Sequence, residues 1–183
     1  MTTILTVPGL GGSGPAHWQS RWEAIDSRCM RVTQRDWQRP ERDEWCATLE
    51  RAVIACAGPV LLVAHSLGCL CVAHWARSGS TDAVRAALLV APADAESPMR
   101  TPDEVRSFAP IPRQRLPFAS VLVASSDDPY ASIECARELG QAWGGRVVEL
   151  GAAGHINAES KLGDWPAGRA LLTELERGAT SGA

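Results

Sequence analysis

The chain has 183 residues, a length that fits one domain with a sizeable hydrophobic core. Hydrophobic residues make up 45% and charged residues 21%, which are ordinary values for a globular protein, and the formal net charge is −3. This composition excludes the strong positive charge of a nucleic-acid or anionic-membrane binder, and the apolar runs are too short to span a bilayer.

The first predicted strand, 4–7, is followed by a glycine-dense loop over 8–15. The loop lacks the Lys-Ser/Thr pair of a P-loop and does not fit G-x-G-x-x-G, so it does not indicate a nucleotide site. Trp18, Trp22 and Ile25 recur at helical spacing and predict a short amphipathic helix. The start of the chain has no basic segment or long apolar stretch typical of a secretory signal, and we expect a cytoplasmic protein.

Alternating residues over 29–35 predict a second strand. Apolar residues at helical spacing from Trp45 to Cys56 predict a helix of about four turns, which Gly-Pro at 58–59 ends. The apolar run that begins at Pro59 predicts a third, buried strand.

A small-x-Ser-x-Gly pattern follows the third strand at Ala64-His65-Ser66-Leu67-Gly68 and leads into a helical pattern that reaches Trp75. This arrangement is typical of a nucleophile elbow, in which a strained turn projects the serine hydroxyl from the sheet. Residues two before and two after the serine must be small, and here Ala64 replaces the usual glycine. The alternative is a buried strand followed by a helix that begins at a serine.

The fourth predicted strand, 84–91, is apolar enough to be covered on both faces. Six of the twelve prolines lie in 92–117. This density predicts that 92–117 is an excursion from the sheet, an irregular segment stiffened by prolines that passes over the mouth of the site. A long cap helix in this segment is unfavourable, because proline disrupts helices.

The last third of the chain predicts two more strands, 119–124 and 146–150, with a helix over 133–143 between them. A terminal helix includes 171–175, and 178–183 is predicted to be a flexible tail. The alternation of strands and helices predicts a parallel, right-handed, doubly wound sheet of about six strands in a single α/β domain spanning 1–183.

Four histidines are candidates for the base that an activated serine needs. His155 follows the last strand and therefore lies at the same sheet edge as Ser66. The side chain of His65 should point away from the site, and His74 falls on the buried stripe of its helix. His17 lies near the glycine loop and could line the pocket. We predict His155 as the base.

The orienting carboxylate is left open by the residues alone, because Asp127 and Asp128 both follow the fifth strand and Asp94 follows the fourth. Serine, aspartate and histidine in this chain order match the α/β-hydrolases. In such enzymes the loop after the equivalent first strand and the residue after the nucleophile donate backbone N–H groups to the oxyanion. That arrangement predicts Leu10 and Leu67 as the oxyanion hole, although Leu10 could instead lie in a flexible turn.

The six cysteines form no C-x-x-C pair and predict neither a metal site nor a disulfide framework. We interpret them as small core residues in a reducing compartment, and no motif predicts a cofactor. Near the end of the chain, Trp165 is expected to seal the base of the His155 loop, and Asp164 to cap local backbone.

These motifs together resemble the small YdeN-type serine hydrolases, relatives of retinoblastoma-binding protein nine, in the α/β-hydrolase superfamily. The resemblance covers nearly the whole chain. It rests on four segments, namely Val7–Gly14 with His17-Trp18, Ala64–Gly68, Asp127–Tyr130, and Gly154–Ser160 running into Gly163–Pro166.

The resemblance implies a catalytic triad of Ser66, Asp128 and His155 in a three-layer fold without a large cap domain. His17 and Trp18 are candidate pocket-lining residues. We expect an esterase that acts on small acyl esters through an acyl-enzyme, and a shallow pocket that favours short acyl chains. One alternative is a hydrolase-fold binding or scaffold protein with little turnover; another is a cofactor-free haloperoxidase or lyase. The sequence indicates no particular protein partner.

Overall fold

Six parallel strands form the central sheet in a computed structural model that describes residues 1–180. The strand order across the sheet is β2-β1-β3-β4-β5-β6. The central strands β3 and β4 consist almost wholly of buried apolar residues, which is typical of a parallel sheet covered on both faces. The strands are β1 Thr3–Val7, β2 Cys29–Arg31, β3 Val60–His65, β4 Val84–Val90, β5 Ala119–Ala124 and β6 Arg146–Glu149.

Within residues 1–180, five α-helices cover the two faces of this sheet and complete three layers. One face packs against the first and last helices, and the other packs against the three between them. This architecture confirms the predicted α/β fold with helices on both faces. None of the helices in the described residues combines the length and apolar character needed to cross a membrane. The helices are α1 Trp18–Ile25, α2 Arg42–Ile54, α3 Leu67–Trp75, α4 Ile133–Trp143 and α5 Pro166–Thr180.

The second strand is shorter than its alternating pattern predicts. β2 is an edge strand that pairs with β1 alone. After Val32, whose N–H donates to the Thr6 carbonyl at 2.9 Å, the chain leaves the sheet. Because β1 itself ends at Val7, the remaining alternation to residue 35 has no neighbouring strand with which to pair.

The segment 92–117 contains one short stretch of 3-10 helix, Asp103–Phe108. Val105 and Phe108 are buried in the core on the α2–α3–α4 face, so they anchor the segment. The predicted tail at 178–183 overlaps the end of α5 through residue 180, and 181–183 lie outside the described residues.

The strand order places a topological switch point between β1 and β3. From β1 the chain proceeds to β2 on one side, whereas β3 to β6 extend to the other side. In open parallel sheets the crevice outside the carboxyl ends of such strands is the usual place for a ligand. The glycine loop follows β1 and the serine motif follows β3, so both meet at this crevice.

Candidate active site

Ser66 occupies a strained turn between β3 and α3. Its backbone has φ 55° and ψ −123°, a conformation that non-glycine residues rarely adopt. The Ser66 N–H donates to the Val90 carbonyl at the end of β4 over 2.9 Å. The neighbouring strand thus holds the turn, and the side chain projects at the carboxyl edge of the sheet as a nucleophile elbow requires.

The requirement for small residues around Ser66 has a direct steric cause. A Cβ added at Gly68 would overlap the backbone carbonyl oxygen of Val7, and one added at Gly9 would lie 2.8 Å from the Ser66 Cβ. Ala64, by contrast, is fully buried and its methyl group is accommodated in the core. The close approach of the backbone at the end of β1 therefore limits side-chain size at Gly68 more strictly than at Ala64.

Ser66, His155 and Asp128 form a continuous hydrogen-bonded row. The Ser66 Oγ lies 2.9 Å from Nε2 of His155, and Nδ1 of His155 lies 2.9 Å from each carboxylate oxygen of Asp128. An ionised carboxylate can only accept, so Nδ1 carries the ring proton and Nε2 is free to accept the serine proton. The Tyr130 backbone N–H also donates to Asp128 Oδ1 over 2.9 Å, which fixes the carboxylate.

The other two candidate acids lie elsewhere. Asp127 accepts from the Ser125 hydroxyl at 2.7 Å and from the Gly154 N–H at 2.8 Å. These bonds, the Ser125 one foremost, hold the pKa of Asp127 below its usual value. Asp94 accepts from the Glu96 N–H within its own turn. Asp127 therefore shapes the loop that carries the histidine, and of the three aspartates the structure places Asp128 against the ring.

The backbone N–H groups of Leu10 and Leu67 lie in segments that border Ser66, and both residues line the same cavity as the serine. Leu67 begins α3, so its N–H has no acceptor within the helix, and the helix N-terminus favours negative charge. Within residues 1–180 no acceptor is found for the Leu10 N–H. The Gly11 N–H donates to the Trp37 carbonyl at 2.8 Å and anchors the glycine loop.

A cavity of about 330 Å³ opens at Ser66. Its walls are mostly apolar, with Leu67, Ala93, Pro102 and Val105 among them, and the residues that line it include no lysine or arginine. His17 is among the residues that line this cavity. A larger cavity of about 560 Å³ lies between α2 and the end of α3, remote from the serine.

Trp18 does not line the cavity, contrary to the prediction. Its indole is buried between Trp22 and Trp165, with ring centroids 4.8 and 4.9 Å away, and donates to the Ile156 carbonyl at 2.8 Å. Helical spacing places Trp18 and Trp22 on the same face of α1, and this face is buried. From the sequence alone, a side chain on a buried helix face cannot be distinguished from one that lines a pocket. Trp18 therefore supports the His155 loop from beneath.

Trp165 is buried against these tryptophans, in agreement with its predicted sealing role. The predicted backbone cap by Asp164 is wrong. Its carboxylate forms an ion pair with Arg21 at 2.6 Å, and its backbone carbonyl accepts from the Trp22 indole at 2.7 Å. Asp164 thus joins the end of this loop to α1.

Two buried histidines beside the row were not predicted to interact with it. His65 donates through Nε2 to the backbone carbonyl of His155 over 2.9 Å, and its ring lies 4.6 Å from that of His17. Burial, followed by the charge of Arg31, lowers the pKa of His17 to about 4, and its Nδ1 accepts from the Gln19 N–H. The prediction that His65 points away from the site is wrong, because its ring lies 4.8 Å from that of His155 and it is among the residues that line the Ser66 cavity. No spacing in the sequence indicates the distant loop that His65 contacts.

Metal-ligating side chains do not converge in the part of the chain that the structure describes, where no group of three or more His, Cys, Asp or Glu could hold an ion. All six cysteines are free thiols, and burial raises the pKa of Cys69.

The chain is similar to known proteins over most of its length. A family model described as serine hydrolase matches residues 4–174. A YdeN-like hydrolase from Pectobacterium atrosepticum is 35% identical, with 98% of this chain and 92% of that chain covered and a TM-score of 0.86. The ydeN gene product of B. subtilis is 17% identical, with 97% and 100% covered and a TM-score of 0.77.

More distant structures share the fold alone. A monoacylglycerol lipase from Paleococcus ferrophilus is 15% identical, with 94% of this chain and 93% of that chain covered and a TM-score of 0.66. A comparison with curated proteins gives no significant match.

Proposed function

Because the chain belongs to the serine hydrolase family, we propose that it hydrolyses small carboxylic esters through a Ser66–His155–Asp128 triad. The observation that carries this proposal is the hydrogen-bonded row in which both bonds to the imidazole measure 2.9 Å. Nucleophile, base and orienting acid are the groups that acyl transfer requires, and this row contains one of each.

The chemistry follows from the position of each group. His155 Nε2 takes the Ser66 proton as Oγ attacks the ester carbonyl carbon, and Asp128 stabilises the resulting imidazolium. The carbonyl electrons move onto oxygen, where the N–H groups of Leu10 and Leu67 stabilise the charge. His155 then protonates the departing alcohol, which leaves an acyl-enzyme. Water deprotonated by His155 attacks that ester and releases the acid.

The dimensions of the cavity favour small substrates. A volume of about 330 Å³ lies at the lower end of small-molecule sites, and the walls supplied by Pro102 and Val105 are apolar. None of the described residues that line the cavity is a lysine or arginine, so none of them offers a counter-ion for an anionic acyl group. We therefore place short, neutral acyl esters first among candidate substrates.

A series of 4-nitrophenyl esters tests both the activity and the size preference. We expect kcat/KM to be highest for acetate or butyrate and at least about tenfold lower for laurate, because short acyl groups suit a cavity at the lower end of small-molecule sites. The matched control is Ser66→Ala, which should abolish turnover of every ester. Rates that climb steadily from acetate to laurate would contradict the size preference, and turnover that survives in Ser66→Ala would contradict the proposed mechanism.

A further inference from the structure

The dipeptide His65-Ser66 contacts His155 at two points. Ser66 Oγ meets the imidazole Nε2 at 2.9 Å, and the ring of His65 reaches the backbone carbonyl of the same histidine at 2.9 Å. One contact involves the side chain of His155 and the other its main chain. The base is therefore linked at both ends to two consecutive residues of a single strained turn.

The hydrogen bond from His65 has a defined direction. A carbonyl oxygen can only accept, so Nε2 of His65 must carry the proton. Burial, followed by the nearby His155 and His17, lowers the pKa of His65 well below its usual value. The ring is consequently neutral, and its one proton is the one donated to the His155 carbonyl.

The ring of His65 is confined from both sides. His155 lies 4.8 Å away between ring centroids, and His17 packs on it in a T-shaped contact at 4.6 Å. His17 is itself fixed, because its Nδ1 accepts from the Gln19 N–H at the start of α1. His65 also ends β3, one of the two central strands, so both its backbone and its side chain are held.

The loop that carries His155 needs such anchoring. Ile156 has φ 48°, a strained value for a β-branched residue, and the loop contains further residues with positive φ. Asp127 holds the Gly154 N–H and Trp18 holds the Ile156 carbonyl. These contacts come from the loop after β5 and from α1, whereas the contact from His65 comes from the residue that precedes the nucleophile at the end of β3.

We propose that His65 is a positioning residue that fixes the Ser66–His155 distance by binding the backbone of the base from the nucleophile's own turn. The inference rests on the proposed function for its catalytic consequence. Because residues 65 and 66 are covalently joined, a displacement of the turn carries both contacts together. The loop that carries His155 is thereby tied to the point at the end of β3 from which Ser66 projects.

Two substitutions separate the hydrogen bond from the presence of a polar side chain. In His65→Gln the amide nitrogen can occupy the place of Nε2 and still donate, whereas the shorter side chain of His65→Asn cannot reach the carbonyl. We expect His65→Asn to lower kcat about 10–100-fold with KM changed by less than about twofold, since the base is misplaced rather than the substrate lost. His65→Gln should recover kcat to within about threefold of wild type.

Melting temperatures of both variants accompany the kinetics. A kcat for His65→Asn within about threefold of wild type would overturn the proposal, as would a loss in His65→Gln equal to that in His65→Asn. A merely structural role would lower the fraction of folded enzyme in both variants, without the rescue by glutamine.

A measurement on the wild-type protein keeps the proposal testable if His65→Asn does not fold. Nitrogen-15 NMR of the histidine rings should show His65 as the neutral tautomer protonated at Nε2. Protonation at Nδ1 instead of Nε2 would overturn it. This spectrum requires no turnover, so an inactive wild type would refute the proposed function while the hydrogen bond of His65 is still measured.

Discussion

Replacing His155 with alanine is expected to lower kcat by about 10⁴–10⁶-fold, the range typical for loss of the base in a serine triad. Without the imidazole, Ser66 Oγ loses the acceptor that lies 2.9 Å away, and no other base contacts it in the described residues. The leaving alcohol also loses its proton donor. The measurement is the initial rate of 4-nitrophenyl acetate hydrolysis at saturating substrate.

His74→Ala is the matched control for this substitution. His74 is another partly buried imidazole, but its Nε2 bonds to the Phe108 carbonyl and it lies at the far end of α3 from Ser66. Its removal should leave kcat within about threefold of wild type. A His155→Ala enzyme that retains a tenth of the wild-type kcat, or a His74→Ala loss of similar size, would contradict the assignment of the base.

Asp128→Asn is expected to lower kcat by about 10⁴-fold, the value typical when this carboxylate becomes an amide. The asparagine can present its NH₂ group to Nδ1 of His155, which then becomes the unprotonated nitrogen. The ring proton moves to Nε2, where it faces Ser66 Oγ and prevents proton abstraction. The side chain keeps its volume, so the melting temperature should fall little while kcat falls steeply.

The adjacent Asp127 provides a stringent comparison. An asparagine there retains an oxygen that can accept from the Ser125 hydroxyl and the Gly154 N–H, as the aspartate does at 2.7 and 2.8 Å. Asp127→Asn should therefore lower kcat by less than about tenfold. If Asp127→Asn were the more damaging of the two, the acid would be misassigned.

The sheet and the elbow were predictable because they depend on local patterns. Buried parallel strands appear in sequence as short apolar runs, and their carboxyl ends share one edge, which predicts that Ser66 and His155 lie close together. The second strand was overestimated, because alternation alone does not reveal that β1 ends at Val7 and leaves residues beyond Val32 without a neighbour.

Contacts between residues that are distant in sequence were harder to predict. Asp127 and Asp128 are consecutive, and only the turn geometry decides which carboxylate faces the ring. Trp18 was expected in the pocket but supports the His155 loop, and the contact of His65 with that loop joins residues 90 positions apart. Such contacts depend on how loops approach one another, for which neither spacing nor composition carries a signal.

The most direct test of an activated Ser66 is covalent labelling by a fluorophosphonate probe, measured by intact mass on wild type, Ser66→Ala and His155→Ala. An activated serine displaces fluoride from the probe and retains the phosphonyl group, so the mass reports nucleophilicity without any assumption about the natural substrate. We expect one adduct on wild type and none on either variant in the same time. A well-folded wild type that takes up no adduct would contradict it and would favour a hydrolase-fold binding protein instead.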